Sequence, residues 1–114
     1  MMGVEFIYHM CLQTAWEEAL STGLYLGSAL DQKDGFIHFS TSEQAKDTAA
    51  RYFVGQKGLV LIKVRTSSLQ GVLRWEPSRD GIAFPHLYRP LRCDEAVEVT
   101  ELKLDASGRH IFPY

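Results

Sequence analysis

The sequence predicts a single α+β domain that spans residues 1–114. Two helix-length segments with capping signals occur early in the chain, and about six strand-like segments are found, mostly after the helices. Because strands and helices do not alternate strictly, a doubly wound parallel sheet is disfavoured. No repeat, low-complexity segment or linker divides the chain, and 114 residues are enough for one modest core.

The chain begins with an apolar, strand-like segment at residues 4–8, VEFIY, which runs into His9. Thr14 is predicted to be the N-cap of the first helix, because Glu17 three residues later completes a capping box. The helix continues through AWEEAL and ends at Gly23, a typical C′ residue. Its predicted apolar stripe consists of Ala15, Trp16 and Leu20.

The next segment, residues 24–34, is predicted to be a loop because several residues that disfavour helices and strands interrupt it. These residues are Gly27, Asp31 and Asp34. The segment GFIHF, residues 35–39, is predicted to be the second strand, and SEQAKDTAARYF, residues 42–53, the second helix. The candidates for its N-cap are Ser40, Thr41 and Ser42.

The second half of the chain is predicted to be mostly extended. LVLIKV, residues 59–64, is a continuous apolar run between turns, which indicates a central strand. VLRWEP, residues 72–77, predicts a further strand, and the prolines of residues 82–91 forbid a long helix there. Residues 96–104 alternate between apolar and polar, as in a half-exposed strand, and residues 108–114 are predicted to add an edge strand. The apolar positions of that alternation are Val97, Val99, Leu102 and Leu104.

The composition limits the classes of partner. The net charge is −2 and the pI is near 6.0, so the chain as a whole does not attract nucleic acid or anionic membranes, although a local basic pocket stays open. The longest apolar stretches have the length of strands and are too short to span a bilayer. Cys11 and Cys93 are expected to be reduced thiols in a cytoplasmic protein, because no signal peptide or CxxC spacing is recognised.

Three of the four histidines follow bulky hydrophobic residues on segments that are predicted to be extended. They are His9, His38 and His86. The spacings typical of zinc sites, such as HxxxH, HExxH and CxxC, do not occur, so no metal is predicted. Metal binding by the three histidines from separate strands stays open on geometric grounds alone.

His38 lies two residues before Ser40, so the two side chains would share one face of a strand. This pattern fits either a catalytic His–Ser pair or a histidine that simply hydrogen-bonds a neighbour. The hydroxyls of Ser40 and Thr41 would lie at a helix N-terminus, which can bind an anion such as phosphate. Capping alone explains these hydroxyls equally well.

The segment FPHLYRP places three ring side chains at alternate positions, with Arg89 adjacent. The three are Phe84, His86 and Tyr88. They would form either a corner of the core or the wall of a site for a nucleobase or nicotinamide, with the arginine binding phosphate. Trp75 and Glu76 end a predicted strand, and the carboxylate is either functional beside an aromatic wall or simply exposed.

Together, five segments resemble the bacterial family known as domain of unknown function 952. These are IYHM near the start, W-E-x-A, DGFIHFSTSEQ, RWEP and FPHLYRPL. The resemblance covers nearly the whole chain. Family members usually read FPHLYGPL at the last segment, so Arg89 stands here in place of the usual glycine.

A more distant similarity is to the ADP-ribosyltransferase fold, and within it to the NAD-dependent RNA 2′-phosphotransferases. Those proteins carry a first-strand segment L-Y-H-G-T and a later segment H-V-H-L-S that precedes a helix. By this similarity His9 would hold the ribose of the nicotinamide half of NAD, and His38 and Ser40 would belong to the second motif. Glu76 is the nearest candidate for the catalytic glutamate by its order along the chain.

The resemblance implies an α+β fold of two small, mainly antiparallel sheets with two flanking helices, and a pocket for NAD, ADP-ribose or a related phosphorylated nucleotide. The lining residues would be His9, His38, Ser40, Thr41, His86 and Tyr88. In an enzyme, His38 would act on a phosphate or as a general acid–base, Tyr88 and Trp75 would stack on the ligand, and Glu76 would stabilise an oxocarbenium-like centre. The reaction would be ADP-ribosyl or phosphoryl transfer. The alternative is a non-catalytic ligand-binding or structural module of the same fold.

Overall fold

The apolar run LVLIKV, which the sequence predicts to be a central strand, is the middle strand of a three-stranded sheet. In the computed structural model, which describes residues 3–114, this strand pairs with an antiparallel neighbour on each side. Three antiparallel sheets and three α-helices form the described part of the chain. The α+β class is therefore confirmed, with one sheet and one helix more than predicted.

Within residues 3–114, eight strands and three α-helices follow one another along the chain. They are β1 (Phe6–Leu12), α1 (Gln13–Thr22), β2 (Leu24–Tyr25), α2 (Ala29–Asp34), β3 (Ile37–His38), α3 (Ser42–Tyr52), β4 (Leu59–Arg65), β5 (Leu73–Pro77), β6 (Ala83–Leu87), β7 (Leu91–Arg92) and β8 (Ala96–Leu102). The sheets have the orders β1-β4-β8, β2-β7 and β3-β6-β5.

The β4 strand is hydrophobic on both faces because it separates two clusters of the core. Val60, Ile62 and Val64 pack into the larger cluster, which also contains Trp16. Leu59 and Leu61 face the smaller cluster, to which Ala45 of α3 also belongs. A strand that is buried on both faces reads as a continuous apolar run, as it does here.

A short bridge joins the first sheet to the β3-β6-β5 sheet and places β1 beside the end of β3. The N–H groups of Tyr8 and Ser40 each donate to the other residue's carbonyl, both at 2.8 Å. Phe39 also donates its N–H to the carbonyl of Pro85 in β6 at 2.9 Å. This junction brings the histidine of β1 close to the histidines of β3 and β6.

The first helix differs from its prediction. It begins at Gln13, directly after β1, and its N-cap is Leu12 without a side-chain hydrogen bond, so the prediction of a Thr14 cap is wrong. Strand pairing explains this difference, because Leu12 still pairs with the first residue of β4. Leu20 is 55% exposed and does not belong to the buried stripe. Gly23 is confirmed as the C-terminal stop, in the left-handed conformation.

Within residues 24–34 the structure forms β2 and α2, so the prediction of a loop is correct only for residues 26–28. A capping box starts α2: Ser28 accepts a hydrogen bond from the N–H of Asp31, and the Asp31 carboxylate accepts one from the N–H of Ser28. Asp31 was interpreted as a residue that breaks regular structure, but it lies within the helix. The predicted strand GFIHF is regular only over the two residues of β3. Thr41 is confirmed as the N-cap of α3.

The last predicted strand is correct in position and differs in its buried face. Val97 and Val99 of β8 are 48% and 41% exposed, whereas Leu102 is fully buried. The pairing with β4 shifts between Lys63 and Val64, so that Val97 has no direct partner. The predicted tail strand reduces to a single bridge between Leu104 and His110. No helix in the described part of the chain is long and apolar enough to cross a membrane.

Candidate functional site

A pocket of about 450 Å³ lies between β1, β3, β6, α2 and α3, and this volume is within the range of small-molecule sites. Five of the predicted site residues line it: His9, His38, Ser40, Phe84 and His86. Aromatic side chains form much of the remaining wall, namely Tyr8, Phe39, Tyr52 and Phe53. The described side chains that line the pocket include Asp31 but no lysine or arginine.

The antiparallel pairing of β3 with β6 accounts for two of the three histidines. His38 and His86 are directly opposite each other in the register, so both side chains lie on the same face of the sheet. Their rings meet edge to face, with centroids 5.5 Å apart. The third histidine, His9, reaches this corner from β1 because of the bridge between the two sheets.

His9 uses both ring nitrogens within the protein. Nδ1 lies 2.6 Å from the carbonyl of His38, and since a carbonyl only accepts, Nδ1 carries the proton. Nε2 then accepts from the hydroxyl of Tyr25 at 2.7 Å. Burial lowers the pKa of His9, which favours this neutral form. His9 is therefore a buried connector between β1, β2 and β3.

Asp31 is the acidic centre of the site and is only 3% exposed. Its Oδ1 accepts from the backbone N–H of His38 at 3.1 Å and from the Nδ1 of the same residue at 2.5 Å. Its Oδ2 accepts from the N–H of Ser28 at 2.7 Å. Burial raises the pKa of the Asp31 carboxyl, but these hydrogen bonds and the nearby ring of His9 outweigh it and lower the pKa to about 2.

Room for this carboxylate depends on Gly27. A Cβ at that position would lie 2.6 Å from the Cβ of Asp31, which is closer than two carbon atoms can approach. The φ of Gly27 is also +94°, in the region that favours glycine. The glycine is therefore required by the local backbone and by the packing of the buried acid.

His38 lies between two carboxylates. Its Nδ1 donates to Asp31, and its Nε2 lies 3.2 Å from Oδ2 of Asp34. The hydrogen bond to Asp31 raises the pKa of His38 and outweighs the effect of burial, so the imidazolium form is favoured. An imidazolium has no lone pair with which to take a proton. Both ring nitrogens of His38 thus face carboxylates, and the arrangement gives no support to the predicted role as a general base.

His86 differs from the other two histidines because one of its ring nitrogens is free. The residue is 4% exposed, its ring stacks on Phe36 with centroids 4.0 Å apart, and its Nδ1 lies 2.8 Å from Oε1 of Glu76. The buried Nε2 has no hydrogen-bond partner among the described residues. Glu76 itself also accepts from the hydroxyl of Tyr88 at 2.7 Å. The hydrogen bonds from Tyr88 and then from His86 lower the pKa of Glu76.

Five predicted residues lie outside the pocket lining: Glu76, described above, and four others. The Thr41 hydroxyl caps α3 by accepting from the N–H of Gln44. Trp75 pairs with Pro85, is 41% exposed, and borders a different surface cleft. Arg89 forms a two-pronged salt bridge with Glu95, with distances of 2.8 and 3.0 Å. The fourth, Tyr88, contacts the site through its hydrogen bond to Glu76 and through the ring of Phe36, whose centroid lies 5.2 Å from its own.

Three residues that matter at the site were missed by sequence reasoning. They are Tyr25, Asp31 and Phe36. The pattern S-x-x-D at residues 28–31 is a capping-box signature and could have revealed α2 and its acid. No sequence signal pointed to the two aromatic residues, because their contacts depend on the tertiary fold. In the described part of the chain, no three His, Cys, Asp or Glu residues are grouped so that they could hold a metal ion.

The fold and the site define a small α+β protein with a pocket that three histidines border. A family model described as protein of unknown function (DUF952) matches residues 10–99. The chain therefore belongs to this family, as the sequence segments predicted.

Solved structures of one bacterial protein are similar over almost the full length. The crystal structure of protein CC0527 from Caulobacter crescentus is 46% identical, with a TM-score of 0.89 and 93% coverage of each chain. Its solution NMR structure is 47% identical, with a TM-score of 0.84 and coverage of 91% of this chain and 90% of that one. A comparison with curated proteins found no match.

Proposed function

We propose that the protein binds a small molecule by enclosing its heteroaromatic ring in the pocket of about 450 Å³. The observation that carries this proposal is the lining: five phenylalanine and tyrosine side chains form part of the wall, and polar groups reach the pocket from three separate strands. Small-molecule sites typically combine an apolar wall with a few such converging polar groups.

The proposed ligand is the nicotinamide or nucleoside part of NAD, ADP-ribose or a related phosphorylated nucleotide. The similarity of the His9 and His38 segments to ADP-ribosyltransferases supports this class, and an ADP-ribosyltransferase-like fold belongs to the same proposal. The phosphates would lie outside the pocket, because its described lining offers no lysine or arginine. The start of α3 is also occupied, since Thr41 and Gln44 cap each other there.

Binding without turnover is favoured over group transfer by one observation. The two histidines that match the transferase motifs use their ring nitrogens inside the protein: His9 on a carbonyl and a hydroxyl, and His38 on two carboxylates. A histidine with both nitrogens engaged cannot exchange a proton with a substrate unless the network opens. An ADP-ribosyl- or phosphotransferase-like enzyme is therefore the second candidate.

The test is titration with nicotinamide, adenosine, ADP-ribose and NAD, followed by amide chemical shifts in NMR spectra. Thr48→Trp places a large side chain into the pocket from α3, and Ala50→Trp makes the same change at an exposed position of that helix. We expect at least one probe to bind the natural protein and the Ala50→Trp variant, and to bind the Thr48→Trp variant at least tenfold more weakly. If no probe binds, or if both tryptophan variants bind equally well, the proposal is wrong. Release of nicotinamide from NAD would identify the enzyme alternative.

A further inference from the structure

We propose that His86 is the polar anchor of the pocket: its Nε2 accepts a hydrogen bond from an N–H or O–H group on the ligand's ring, and Glu76 holds the imidazole in the form that can accept. The inference rests on the proposed function and adds to it the chemical class of the ligand, which is a heteroaromatic ring that carries a hydrogen-bond donor. The carboxamide of nicotinamide and the exocyclic amino group of adenine both meet this requirement.

The first argument comes from the hydrogen-bond partners of the three histidines. Both ring nitrogens of His9 and of His38 have partners. Among the described residues that line the pocket, Nε2 of His86 is the buried side-chain nitrogen without one. Buried polar atoms are nearly always paired in folded proteins, and an exception calls for a ligand, a water molecule or a functional reason.

The second argument concerns the proton on the ring. Oε1 of Glu76 lies 2.8 Å from Nδ1 of His86, and it also accepts from the hydroxyl of Tyr88. The hydrogen bonds that Glu76 receives, from Tyr88 first, lower its pKa, so it is a carboxylate at neutral pH and only accepts. When the imidazole is neutral, Nδ1 therefore carries the proton and Nε2 keeps its lone pair. A carboxylate that fixes a histidine tautomer in this way is a recurring device in functional sites.

The third argument is geometric. Phe36 stacks on one face of the His86 ring, with an angle of 22° between the planes, and Glu76 occupies the Nδ1 edge. The ring is thus fixed on two sides and borders the pocket. Because Nε2 itself has almost no accessible surface in the free protein, a ligand donor reaches it only when a neighbouring side chain of the pocket moves aside. Tyr88, in turn, holds the carboxylate from outside the pocket. Glu76 and Tyr88 are positioning residues by this reasoning, and His86 is the residue that contacts the ligand.

The test compares pairs of probes that differ by one donor. Nicotinamide is compared with methyl nicotinate, which replaces the amide by an ester, and adenosine with purine riboside, which lacks the amino group. For the natural protein we expect the donor-bearing member of a pair to bind about tenfold more tightly or better, because its absence leaves Nε2 unpaired. His86→Phe keeps a ring for stacking but removes the acceptor, so the two members should then bind alike. His110→Phe is the matched control: His110 bonds to the carbonyl of Gln56 outside the pocket, and this variant should keep the preference.

A second measurement does not depend on the folding of the His86 variant. The imidazole ¹⁵N chemical shifts of the natural protein should show a protonated Nδ1 and an unprotonated Nε2 for His86. Glu76→Gln should weaken this tautomer preference and also the preference for the donor-bearing member of each probe pair. Equal binding of both members of each pair to the natural protein overturns the role of His86 and leaves the proposed function standing. A proton on Nε2 in the free protein overturns it as well. If none of the four probes binds, this inference fails, and the proposed function fails with it when ADP-ribose and NAD do not bind either.

Discussion

The buried carboxylate of Asp31 makes the sharpest prediction about stability. Its pKa falls from 3.8 to about 2 in the folded protein, because the hydrogen bonds from His38 and Ser28, together with the nearby ring of His9, outweigh the cost of burial. A carboxyl with a lowered folded-state pKa adds stability that is present above its unfolded pKa and is lost as the pH falls through the folded value. At about 1.4 kcal/mol for each tenfold change, the contribution at pH 7 is about 2.5 kcal/mol. Asp31→Asn keeps the shape and one acceptor oxygen but removes the charge, so it should lower the free energy of unfolding by about this amount.

The assay is urea denaturation of the natural protein, Asp31→Asn and the control Asp34→Asn at pH 7 and at steps down to pH 2. Asp34 contacts the same imidazole at 3.2 Å but is 36% exposed, so its loss should cost less than about 1 kcal/mol. The difference between the natural protein and Asp31→Asn should shrink as the pH falls from 4 towards 2. The pKa of His38, followed by NMR, should fall in Asp31→Asn, since the main cause of its rise is gone. Equal losses in both variants, or a difference that persists at pH 2, would refute this account.

Three further predictions concern single groups. Tyr25→Phe removes the donor to Nε2 of His9 and should lower the free energy of unfolding by about 1–3 kcal/mol, as measured in urea; an unchanged stability would contradict the hydrogen bond. Burial raises the pKa of the Cys11 thiol to about 11, so an aromatic disulfide reagent at pH 8 should modify Cys11 only after unfolding. Modification of Cys11 in the folded protein would show that the core around this residue opens. Arg89→Ala breaks the salt bridge to Glu95 and should lower the free energy of unfolding by roughly 1 kcal/mol without changing the affinity for the probes. Weaker probe binding in this variant would show that Arg89 contributes to the binding site after all.

The parts of the fold that the sequence predicts well are those that local physics determines. β4 is identified by a run of branched apolar residues, the end of α1 by the left-handed Gly23, and the start of α3 by the Thr41 cap. The start of α1 is different, because β1 continues to Leu12 only through its pairing with β4. Pairing with a distant strand leaves no mark in the local sequence. The same is true of β2, whose two residues are extended because β7 lies beside them.

The sequence predicted which histidines line the pocket better than it predicted their chemical roles. Histidines after bulky residues on extended segments do reach one pocket, since strands with a buried face place such side chains beside the core. Which nitrogen is free, however, depends on partners that are distant in sequence or belong to a helix that was not predicted. The apolar neighbours of His38 and the hydroxyls after it suggested a functional residue. In the structure, however, Asp31 and Asp34 contact both of its ring nitrogens. The salt bridge of Arg89 to Glu95 could not be read from the aromatic pattern beside it either.

The two histidine–carboxylate groups of the site serve different purposes. The group around Asp31 is saturated: its carboxylate accepts three hydrogen bonds, and both nitrogens of His38 face acids. Such a network fixes the positions of β1, β3 and α2 but leaves nothing for a ligand to complete. Glu76 and His86 form a comparable short contact at Nδ1 of the imidazole. The other ring nitrogen of His86, Nε2, has no partner among the described residues. A ligand gains most from satisfying a polar atom that the protein leaves unpaired, because it meets no competing partner there. Recognition should therefore depend on His86, while His9 and His38 hold the pocket that surrounds it.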